Sequence, residues 1–439
     1  ALAQEPVPEP EGLAALGEAL FYDKSLSANG TQSCAACHSP EVGFTGPDAA
    51  INTGGAVYQG ALPNHFGNRK PPSSAYAGDS PLFHFDETEG GWFGGMFWDG
   101  RATGAVLGDP LAEQAQGPYL NPLEQAIPNA QVLCVKVRQA GYAGLFEQVW
   151  GAGSLDCARD TAGVYEMIGR SVAAYERSPE VNPFTSKFDL FWDNAAAAGK
   201  DVTKIKCGTG GMGGGGGGGM GDPMGGAMGC PGGGMDPNRW TAFRSLGLTD
   251  ADLVGLAVFN ARAECSACHT LEPGPAGYPL FTDFGYDNIG VPKNPDNPFY
   301  SMPAAWNPDG AAWIDGGLGD FLKSAGYPAE VYAAELGKIK VPTLRNVDLR
   351  PSPDFVKAYG HNGYFKSLED IVFFYHWRGM MDSMCADGGG MEGMCEMMSQ
   401  MFPPPEVDEN RAVLGMFPRP QVDNIVAFLK TLSDGYFVR

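Results

Sequence analysis

The chain carries the pattern Cys-x-x-Cys-His twice, at residues 34–38 and 265–269. Two cysteines one helical turn apart can form thioethers to the two vinyl groups of a porphyrin, and the histidine that follows becomes the proximal iron ligand. The competing interpretation is zinc binding, which needs a second pair of Cys or His ligands near each motif. The sequence has no such pairs, so the two motifs predict two covalently attached c-type haems.

Composition and cysteine usage indicate an exported protein. The formal net charge of −22 argues against nucleic-acid binding and favours a basic partner or simple solubility. No apolar run is long enough for a membrane span. The start, residues 1–3, is similar to the Ala-x-Ala end of a removed secretory signal. We therefore expect a periplasmic, secreted or cell-surface protein of a Gram-negative-type bacterium.

Six cysteines remain outside the haem motifs, and they fall into three pairs that are close in sequence. Three local disulfides are the simplest account, and they would persist outside the cytoplasm. The expected pairs are Cys134 with Cys157, Cys207 with Cys230, and Cys385 with Cys395.

The elements that must position the haem motifs are predicted to be helices. Leucines spaced for one helical face begin at Leu13, just before the first motif. Residues 249–252 and 367–370 have the form of capping boxes that start helices. Apolar residues between Val422 and Leu432 predict an amphipathic final helix.

Two segments rich in methionine interrupt this pattern, at residues 207–235 and 380–401. Thioether sulfur is a soft ligand that suits Cu(I), and methionine-rich surfaces also bind partner proteins. The alternative is that these are surface loops in which methionine has no role. Copper at these loops is therefore an expectation that the sequence leaves open.

Several stretches around the motifs resemble the bacterial dihaem cytochrome c peroxidase/MauG superfamily, and in particular its MauG-like (MbnH-like) branch. They occur in the family order across residues 12–432, apart from the methionine-rich loops. The matching stretches are residues 16–27, 97–102, 113–124, 341–347 and 361–363.

The resemblance implies a mainly α fold with two cytochrome-c-like haem domains, long loops, and haems near the domain interface. We expect a flexible terminus at 1–11, an N-terminal, peroxide-reactive haem domain at 12–178, and a C-terminal haem domain at 179–401. The final segment, 402–439, is expected to pack its helix back on the first domain.

The resemblance also assigns roles around the first haem, whose ligand is His38. Glu124 matches the distal residue that moves protons during peroxide cleavage, and Gln114 and Pro118 match residues lining the same face. Trp98 matches a tryptophan that relays charge between the two porphyrins. Each of these residues would otherwise be an ordinary surface or packing residue.

Tyr375 is the most discriminating residue of the second haem, which is held on His269. Peroxidases of the superfamily place a Met ligand 14 residues after the His of a His-x-Gly motif, and here that position after His361 is Tyr375. Leu368, Val372 and Tyr375 share one helical face, whereas His376 points about 100° away. Tyrosine ligation favours oxidised iron and is the MauG-type arrangement, in which two haems share oxidising equivalents.

Two features depart from the peroxidase pattern. His65 and His84 lie between the first motif and Trp98, but neither fits the distal-ligand position without a gap. We therefore expect an open or water-bound first haem.

The family also holds a calcium ion between its domains, on one Asn side chain and backbone carbonyls. The candidates here are Asn68, Arg350 and Ser352, although Lys70 lies nearest the Asn position.

Three functions compete. The first is a MauG-like haem enzyme that uses hydrogen peroxide to oxidise an aromatic residue, most simply Trp, of a partner protein, with a copper link as an added expectation. The second is a cytochrome c peroxidase that takes electrons from a cytochrome or cupredoxin donor. The third is a non-enzymatic dihaem electron carrier, against which Glu124 and Gln114 count because a carrier needs no acid/base group.

Overall fold

The computed structural model describes residues 11–207, 237–261, 263–385, 395–396 and 400–438, and these residues are mainly helical. The helices are α1 (Leu13–Tyr22), α2 (Ala49–Thr53), α3 (Pro110–Leu120), α4 (Ala130–Gln139), α5 (Ala143–Trp150), α6 (Thr161–Glu176), α7 (Lys187–Ala197), α8 (Asp250–Ala261), α9 (Gly317–Ser324), α10 (Ala329–Ala334), α11 (Leu368–Met384) and α12 (Gln421–Lys430). The predicted mainly α class is confirmed.

Strands are short and form two antiparallel pairs. The first pair is β1 (His84–Asp86) with β2 (Gly91–Phe93), in a register that places His84 opposite Phe93. The second pair is β3 (Tyr286–Asp287) with β4 (Ile339–Lys340), in which Tyr286 lies opposite Lys340. The second pair forms part of the wall of a large cavity in the C-terminal half.

The same helix crossing occurs in both halves of the chain. The helix before each motif, α1 or α8, packs closely on a later helix, α6 or α12. A glycine lies at each contact: a Cβ on Gly17 would be 1.9 Å from the carbonyl oxygen of Ser171, and a Cβ on Gly255 would be 1.9 Å from that of Asn424. Only a residue without a side chain allows these backbones to approach so closely.

Each crossing has its own hydrophobic core. The first core joins α1 to α6 through buried residues such as Leu16, Leu20 and Ile168. The second joins α7, α8, α11 and α12, with Phe259 and Phe428 among its fully buried rings. The two cores support the two-domain arrangement, and we retain the boundary after residue 178 as a proposal because α6 belongs to the first core and α7 to the second.

The predicted caps of two helices that carry the second site are present. The amide N of Asp252 donates to Thr249 Oγ1, and the Thr249 amide donates to the Asp252 carboxylate, so the capping box at the start of α8 is reciprocal. The Ser367 hydroxyl accepts from the Asp370 amide at the start of α11. These local bonds satisfy amides that a helix start leaves without partners.

The expected position of the final helix is wrong. Helix α12 packs on α8 within the second core. After α12, the Asp434 carboxylate accepts a hydrogen bond from the Tyr76 hydroxyl of the N-terminal domain. The apolar face of α12 is buried against its own domain because Gly255 provides the close crossing there.

Two of the predicted disulfides, Cys134–Cys157 and Cys385–Cys395, are confirmed. Cys207 is also disulfide-bonded, and its predicted partner Cys230 lies outside the described residues.

Most of the methionine-rich sequence also lies outside the described part of the chain. Within that part, Met380 and Met381 pack against the second core, so these two thioethers are structural. Among the residues that the structure describes, no helix is long and apolar enough to cross a membrane.

Candidate active site

The two haem motifs adopt the same local structure. Each begins with one turn of 3-10 helix, at Cys34–Ala36 and at Cys265–Ala267. The amide of the motif histidine donates back to the first cysteine carbonyl, over 2.9 Å at His38 and 2.8 Å at His269. This turn places both thiols and the histidine on one side of the chain, and all four motif cysteines are free of disulfides.

Both motif histidines are held by a backbone carbonyl. His38 Nδ1 lies 3.1 Å from the Phe44 oxygen, and His269 Nδ1 lies 2.9 Å from the Phe281 oxygen. Phe44 and Phe281 both adopt a left-handed backbone with φ of 55°, which turns the carbonyl toward the ring. Because Nδ1 is engaged, Nε2 is the nitrogen that remains for a metal. Burial lowers the pKa of both rings, and that of His38 falls to about 4, so both are neutral and able to bind iron.

Buried polar atoms without a hydrogen-bond partner lie near the first motif. Among the described residues, the Tyr119 hydroxyl, Gln125 Oε1 and Glu176 Oε2 are all buried and make no hydrogen bond. Gln125 Nε2 lies 3.9 Å from Cys34 Sγ, so these atoms lie around the first thiol. Buried polar atoms normally have partners, and their absence here marks the wall of a site that a further group completes. The residues therefore fit a bound haem.

Glu124 lies above this first site and is held by a neighbour. Asn121 Nδ2 donates to Glu124 Oε1 over 2.6 Å, and the Glu124 amide donates to the Asn121 carbonyl over 3.0 Å. Burial raises the pKa of Glu124, while the charge of Arg101 and the bond from Asn121 lower it, and the net change is upward. A carboxyl with a raised pKa can both accept and return a proton near neutral pH.

Helix α3 supplies the other two predicted residues of this face. Gln114 and Pro118 lie one turn apart in α3, which ends at Leu120, four residues before Glu124. The N-terminus of α3 is fixed by Asp109, whose carboxylate caps two amides and pairs with Arg177. The helix therefore brings Gln114 and Pro118 to the same end of the domain as Glu124.

The two histidines that could compete for the first haem have local contacts of their own. The His65 ring packs on Trp306 with ring centres 5.5 Å apart, and its Nδ1 lies 3.0 Å from the Pro63 oxygen. His84 is exposed in β1, with Nδ1 2.8 Å from the Leu82 oxygen. Because these contacts leave the Nε2 of each ring available, the open face of the first haem stays a prediction.

The second motif lines a cavity of about 290 Å³. Its wall includes Cys265, Cys268, His269 and Tyr375. His376 is not on that wall: its Nδ1 lies 2.6 Å from the Phe417 oxygen, on the other side of α11. The volume, the two thiols and a histidine with a free Nε2 fit a second haem, and among the α11 side chains on this wall Tyr375 is the one with an oxygen that can bind a metal.

Trp98 lies on the wall of the second cavity and contacts both domains. Its ring is 8% exposed and lines the second cavity, and its indole N–H donates to the Lys70 carbonyl over 2.9 Å. The Lys70 amide in turn donates to the carbonyl of His361, and the Trp98 carbonyl accepts from the Lys340 amide. Trp98 is thus held by Lys70 of its own domain through the indole and by Lys340 of the other domain through its backbone carbonyl.

Sequence reasoning missed two polar residues beside the first haem ligand. Ser74 Oγ lies 3.1 Å from His38 Nδ1, and Ser74 also hydrogen-bonds to Glu176, a carboxyl that is only 4% exposed. Burial raises the pKa of Glu176 to about 8, against the opposing bond from Ser74. No short motif links these residues to His38, because they come together only when α6 packs on the first core.

The predicted calcium residues have other partners. The Asn68 carbonyl accepts from Asn297 Nδ2 over 2.8 Å, and the Ser352 carbonyl accepts from the Phe355 amide over 3.1 Å. The Arg350 guanidinium pairs with Asp348 and donates to the Tyr359 hydroxyl. A guanidinium beside the site disfavours a divalent cation. The charge of Arg350 therefore disfavours the calcium ion that the resemblance implies at Asn68, Arg350 and Ser352.

Comparisons with known proteins agree with this geometry. A family model described as di-haem cytochrome c peroxidase matches residues 11–197. Methylamine utilization protein MauG of Paracoccus denitrificans is 31% identical over 98% of this chain and 91% of that protein. Cytochrome-c peroxidase IdrP1 of Denitromonas iodatirespirans is 23% identical over 82% of this chain and 72% of that protein.

Two solved structures share the fold. The diheme peroxidase BthA from Burkholderia thailandensis has a TM-score of 0.66 and 28% identity, covering 98% of this chain and 88% of that chain. A MauG-like protein associated with microbial copper homeostasis has a TM-score of 0.55 and 20% identity, covering 99% of this chain and 95% of that chain. The near full-length similarity at 31% identity establishes the relationship. The chain belongs to the dihaem cytochrome c peroxidase/MauG family and is a haem-dependent, peroxidase-type oxidoreductase.

Proposed function

We propose that this protein is a MauG-like enzyme that reduces hydrogen peroxide at the first haem and oxidises an aromatic residue of a partner protein. The single observation that carries the proposal is the presence of Tyr375, rather than Met, on the wall of the second cavity. A phenolate is a hard anionic ligand that stabilises oxidised iron, which suits an oxidising enzyme better than an electron store.

When bound, the two haems would supply the two electrons that reduce peroxide to two water molecules. Glu124 adds no proton of its own: its carboxylate accepts a proton from peroxide and returns it to the departing oxygen, and the two further protons come from the donor. Asn121 holds the Glu124 carboxyl through its 2.6 Å bond, so the acid/base group does not swing out of the pocket. Gln114 and Pro118 line this face in the proposal.

We assign electron transfer between the two sites to Trp98. Electron transfer slows steeply with distance, and an indole fixed by Lys70 and Lys340 offers an intermediate aromatic group at a constant position. The two electrons and two protons that balance peroxide reduction come from the aromatic side chain of the partner, most simply a tryptophan.

A cytochrome c peroxidase that draws electrons from a small cytochrome is the second candidate, favoured by the similarity to the IdrP1 peroxidase and by the acidic composition. The two functions differ in the state that reacts. A peroxidase with a Met-ligated second haem uses one stored electron, so it must first be half-reduced. The enzyme proposed here reacts with peroxide when both irons are ferric.

The deciding experiment mixes the fully oxidised holoprotein with one equivalent of hydrogen peroxide, with and without prior one-electron reduction. We expect rapid peroxide consumption without prior reduction. Consumption that requires prior reduction, together with fast turnover of reduced cytochrome c, would assign the protein to the second candidate. No consumption in either case would assign it to the electron carriers.

The copper link is a finer part of the proposal and has its own test. It rests on the methionine-rich segments at 207–235 and 380–401. Titration of the holoprotein with Cu(I) against a competing chelator should reveal binding tighter than micromolar. Weaker binding would remove copper from the account and leave the peroxide chemistry unaffected. We also retain a periplasmic location as a proposal, since disulfides persist there.

A further inference from the structure

Lysine ammonium groups join the two domains through backbone carbonyls. Lys357 is 6% exposed, and its Nζ donates to the carbonyl oxygens of Val42, Asn346 and Leu349 over 2.8, 2.7 and 3.1 Å. Val42 belongs to the loop that holds the first haem motif, whereas Asn346 and Leu349 belong to the segment beside the second cavity. One side chain therefore fastens the two haem sites together.

A second lysine repeats this arrangement. Lys366 Nζ donates to the carbonyls of Asn52 and Gly54 in the N-terminal domain and to that of Gly363 in the C-terminal domain. Its distances to Asn52 and Gly363 are 2.9 and 2.6 Å. Each cluster thus consists of one lysine ammonium surrounded by carbonyl oxygens from both domains.

The Lys357 cluster has the donor set that a hard cation prefers. Calcium takes carbonyl and carboxylate oxygens at about 2.3–2.6 Å, and the oxygens here lie farther out, at hydrogen-bond distances around nitrogen. Burial and the neighbouring Lys70 lower the pKa of Lys357. Three carbonyl acceptors nevertheless require three N–H donors, which an ammonium has and a neutral amine lacks.

The surrounding charges also exclude a divalent ion. Lys70 lies near enough for its charge to lower the pKa of Lys357, so it adds a second positive group close to these carbonyls. Arg350 follows Leu349 directly and already neutralises Asp348. A calcium ion placed among these carbonyls would meet the Lys357 ammonium at contact distance, which costs more than any carbonyl contact returns.

We propose that the Lys357 ammonium replaces the inter-domain calcium ion that the family resemblance implies. The side chain is a covalently tethered cation that holds the loop of the first haem motif to the wall of the second haem site. The relative placement of the two haems in this protein then depends on Lys357 and not on a divalent metal. This inference is independent of the substrate and of the reaction proposed above.

The first test measures calcium directly. The holoprotein, purified in calcium-containing buffer and then passed through a desalting column, should contain well under one calcium ion per chain by atomic emission. Prolonged treatment with EGTA should leave the optical and electron paramagnetic resonance (EPR) spectra of both haems unchanged. Retention of one calcium per chain, with an EGTA-induced change in either haem spectrum, would overturn the proposal.

The second test removes the ammonium. Lys357→Met keeps the length of the side chain, and Lys293→Met is the matched control, because Lys293 Nζ also donates to two carbonyls but within one domain, at Ala311 and Trp313. We expect Lys357→Met to shift the reduction potentials of the haems and to lower the midpoint of thermal unfolding more than Lys293→Met does. Equal effects of the two substitutions would contradict the proposal. If Lys357→Met does not fold, the calcium content of the natural protein still decides the question.

Discussion

At the scale of single residues, Tyr375 distinguishes this protein from a peroxidase with a Met-ligated second haem. Tyr375 shares the cavity wall with His269, while the adjacent His376 is engaged by the Phe417 carbonyl. If Tyr375 is replaced, His376 cannot take over as iron ligand by side-chain rotation alone. Tyr375 is assigned as the ligand because it lies on the face of α11 that lines the cavity.

We predict that Tyr375→Phe removes an axial ligand from the second haem. The low-spin EPR signal of the ferric second haem should be lost or replaced by a signal with different g-values. Tyr359→Phe is the control, because Tyr359 lines the same cavity but its hydroxyl accepts from Arg350. Tyr359→Phe should leave the signal unchanged, and an unchanged signal in Tyr375→Phe would disprove the ligand assignment.

A separate prediction concerns Glu124 and the first haem. Glu124→Gln should slow the reaction with peroxide by about 10²–10⁴-fold, because an amide cannot accept and return the proton. Burial raises the pKa of Glu124, so the rate for the natural protein should fall as the pH drops through a value above the ordinary 4.5. Stopped-flow measurement across pH 4–8 checks both statements.

Glu113→Gln is the control for Glu124. The Glu113 carboxylate accepts three backbone amides, from Gly104, Val106 and Leu107, and has a structural role in the same domain. We expect Glu113→Gln to retain the pH dependence of the natural protein. If Glu124→Gln also retained it, Glu124 would not be the proton-transfer group.

Residues within short motifs could be predicted from the sequence, and residues that act across the fold could not. The spacing of Cys34, Cys37 and His38 is local, so it predicts a haem site without knowledge of the fold. Ser74 and Glu176 lie 36 and 138 positions from His38, and nothing in their local sequence marks them. Their place beside His38 depends on the packing of α6.

At the scale of elements, the two Gly crossings define the haem domains. Gly17 in α1 and Gly255 in α8 each allow a helix to contact the backbone of its partner. We predict that Gly17→Ala or Gly255→Ala lowers the free energy of unfolding by about 3 kcal/mol or more, because a Cβ at 1.9 Å from a carbonyl forces the helices apart. Urea unfolding of the holoprotein followed by circular dichroism measures the change.

The control for these substitutions is Gly144→Ala in α5, where a Cβ would meet nothing within 4 Å. Alanine favours helix over glycine by roughly 1 kcal/mol, so Gly144→Ala should be neutral or stabilising. A loss of similar size for Gly144→Ala would show that the effect does not come from the two close crossings.

Helix positions followed from the sequence, but their partners did not. Caps at Thr249 and Ser367 and the apolar face from Val422 to Leu432 are local signals, and the corresponding helices are present. The expected packing of α12 on the first domain was wrong because an apolar face does not specify which surface buries it. The small residue that selects the partner, Gly255, lies about 170 positions away in the chain.

At the scale of the whole molecule, an ion-pair network joins the domains beside the haem sites. Arg69 pairs with Asp99 at 2.7 Å in its own domain and with Asp315 at 2.6 Å in the other. Burial raises the pKa of Asp315, but the charge and hydrogen bonds of Arg69 outweigh it, so the pKa falls from 3.8 to about 2. A carboxylate with a lowered pKa stabilises the folded state above its ordinary pKa and loses that contribution as the pH falls from about 4 to about 2.

We predict that this contribution is about 2 kcal/mol and that it disappears in acid. Asp315→Asn should lower the free energy of unfolding at pH 7, and its difference from the natural protein should shrink between pH 4 and pH 2. Asp423 is exposed in α12 and pairs with Arg419. Asp423→Asn should change the free energy of unfolding little at any pH. A difference for Asp315→Asn that stays constant from pH 7 to pH 2 would contradict the assignment.

The central claim is that the two haem sites act together as an oxidising unit because Tyr375 closes the second. The most direct measurement adds one equivalent of hydrogen peroxide to the fully oxidised holoprotein, without donor, and then titrates the retained oxidising equivalents with ferrocyanide at increasing delays. We predict that the natural protein retains two equivalents for seconds or longer, and that Tyr375→Met loses them much faster or forms none. The account would be contradicted if the natural protein retained no oxidising equivalents, or if Tyr375→Met retained them equally long.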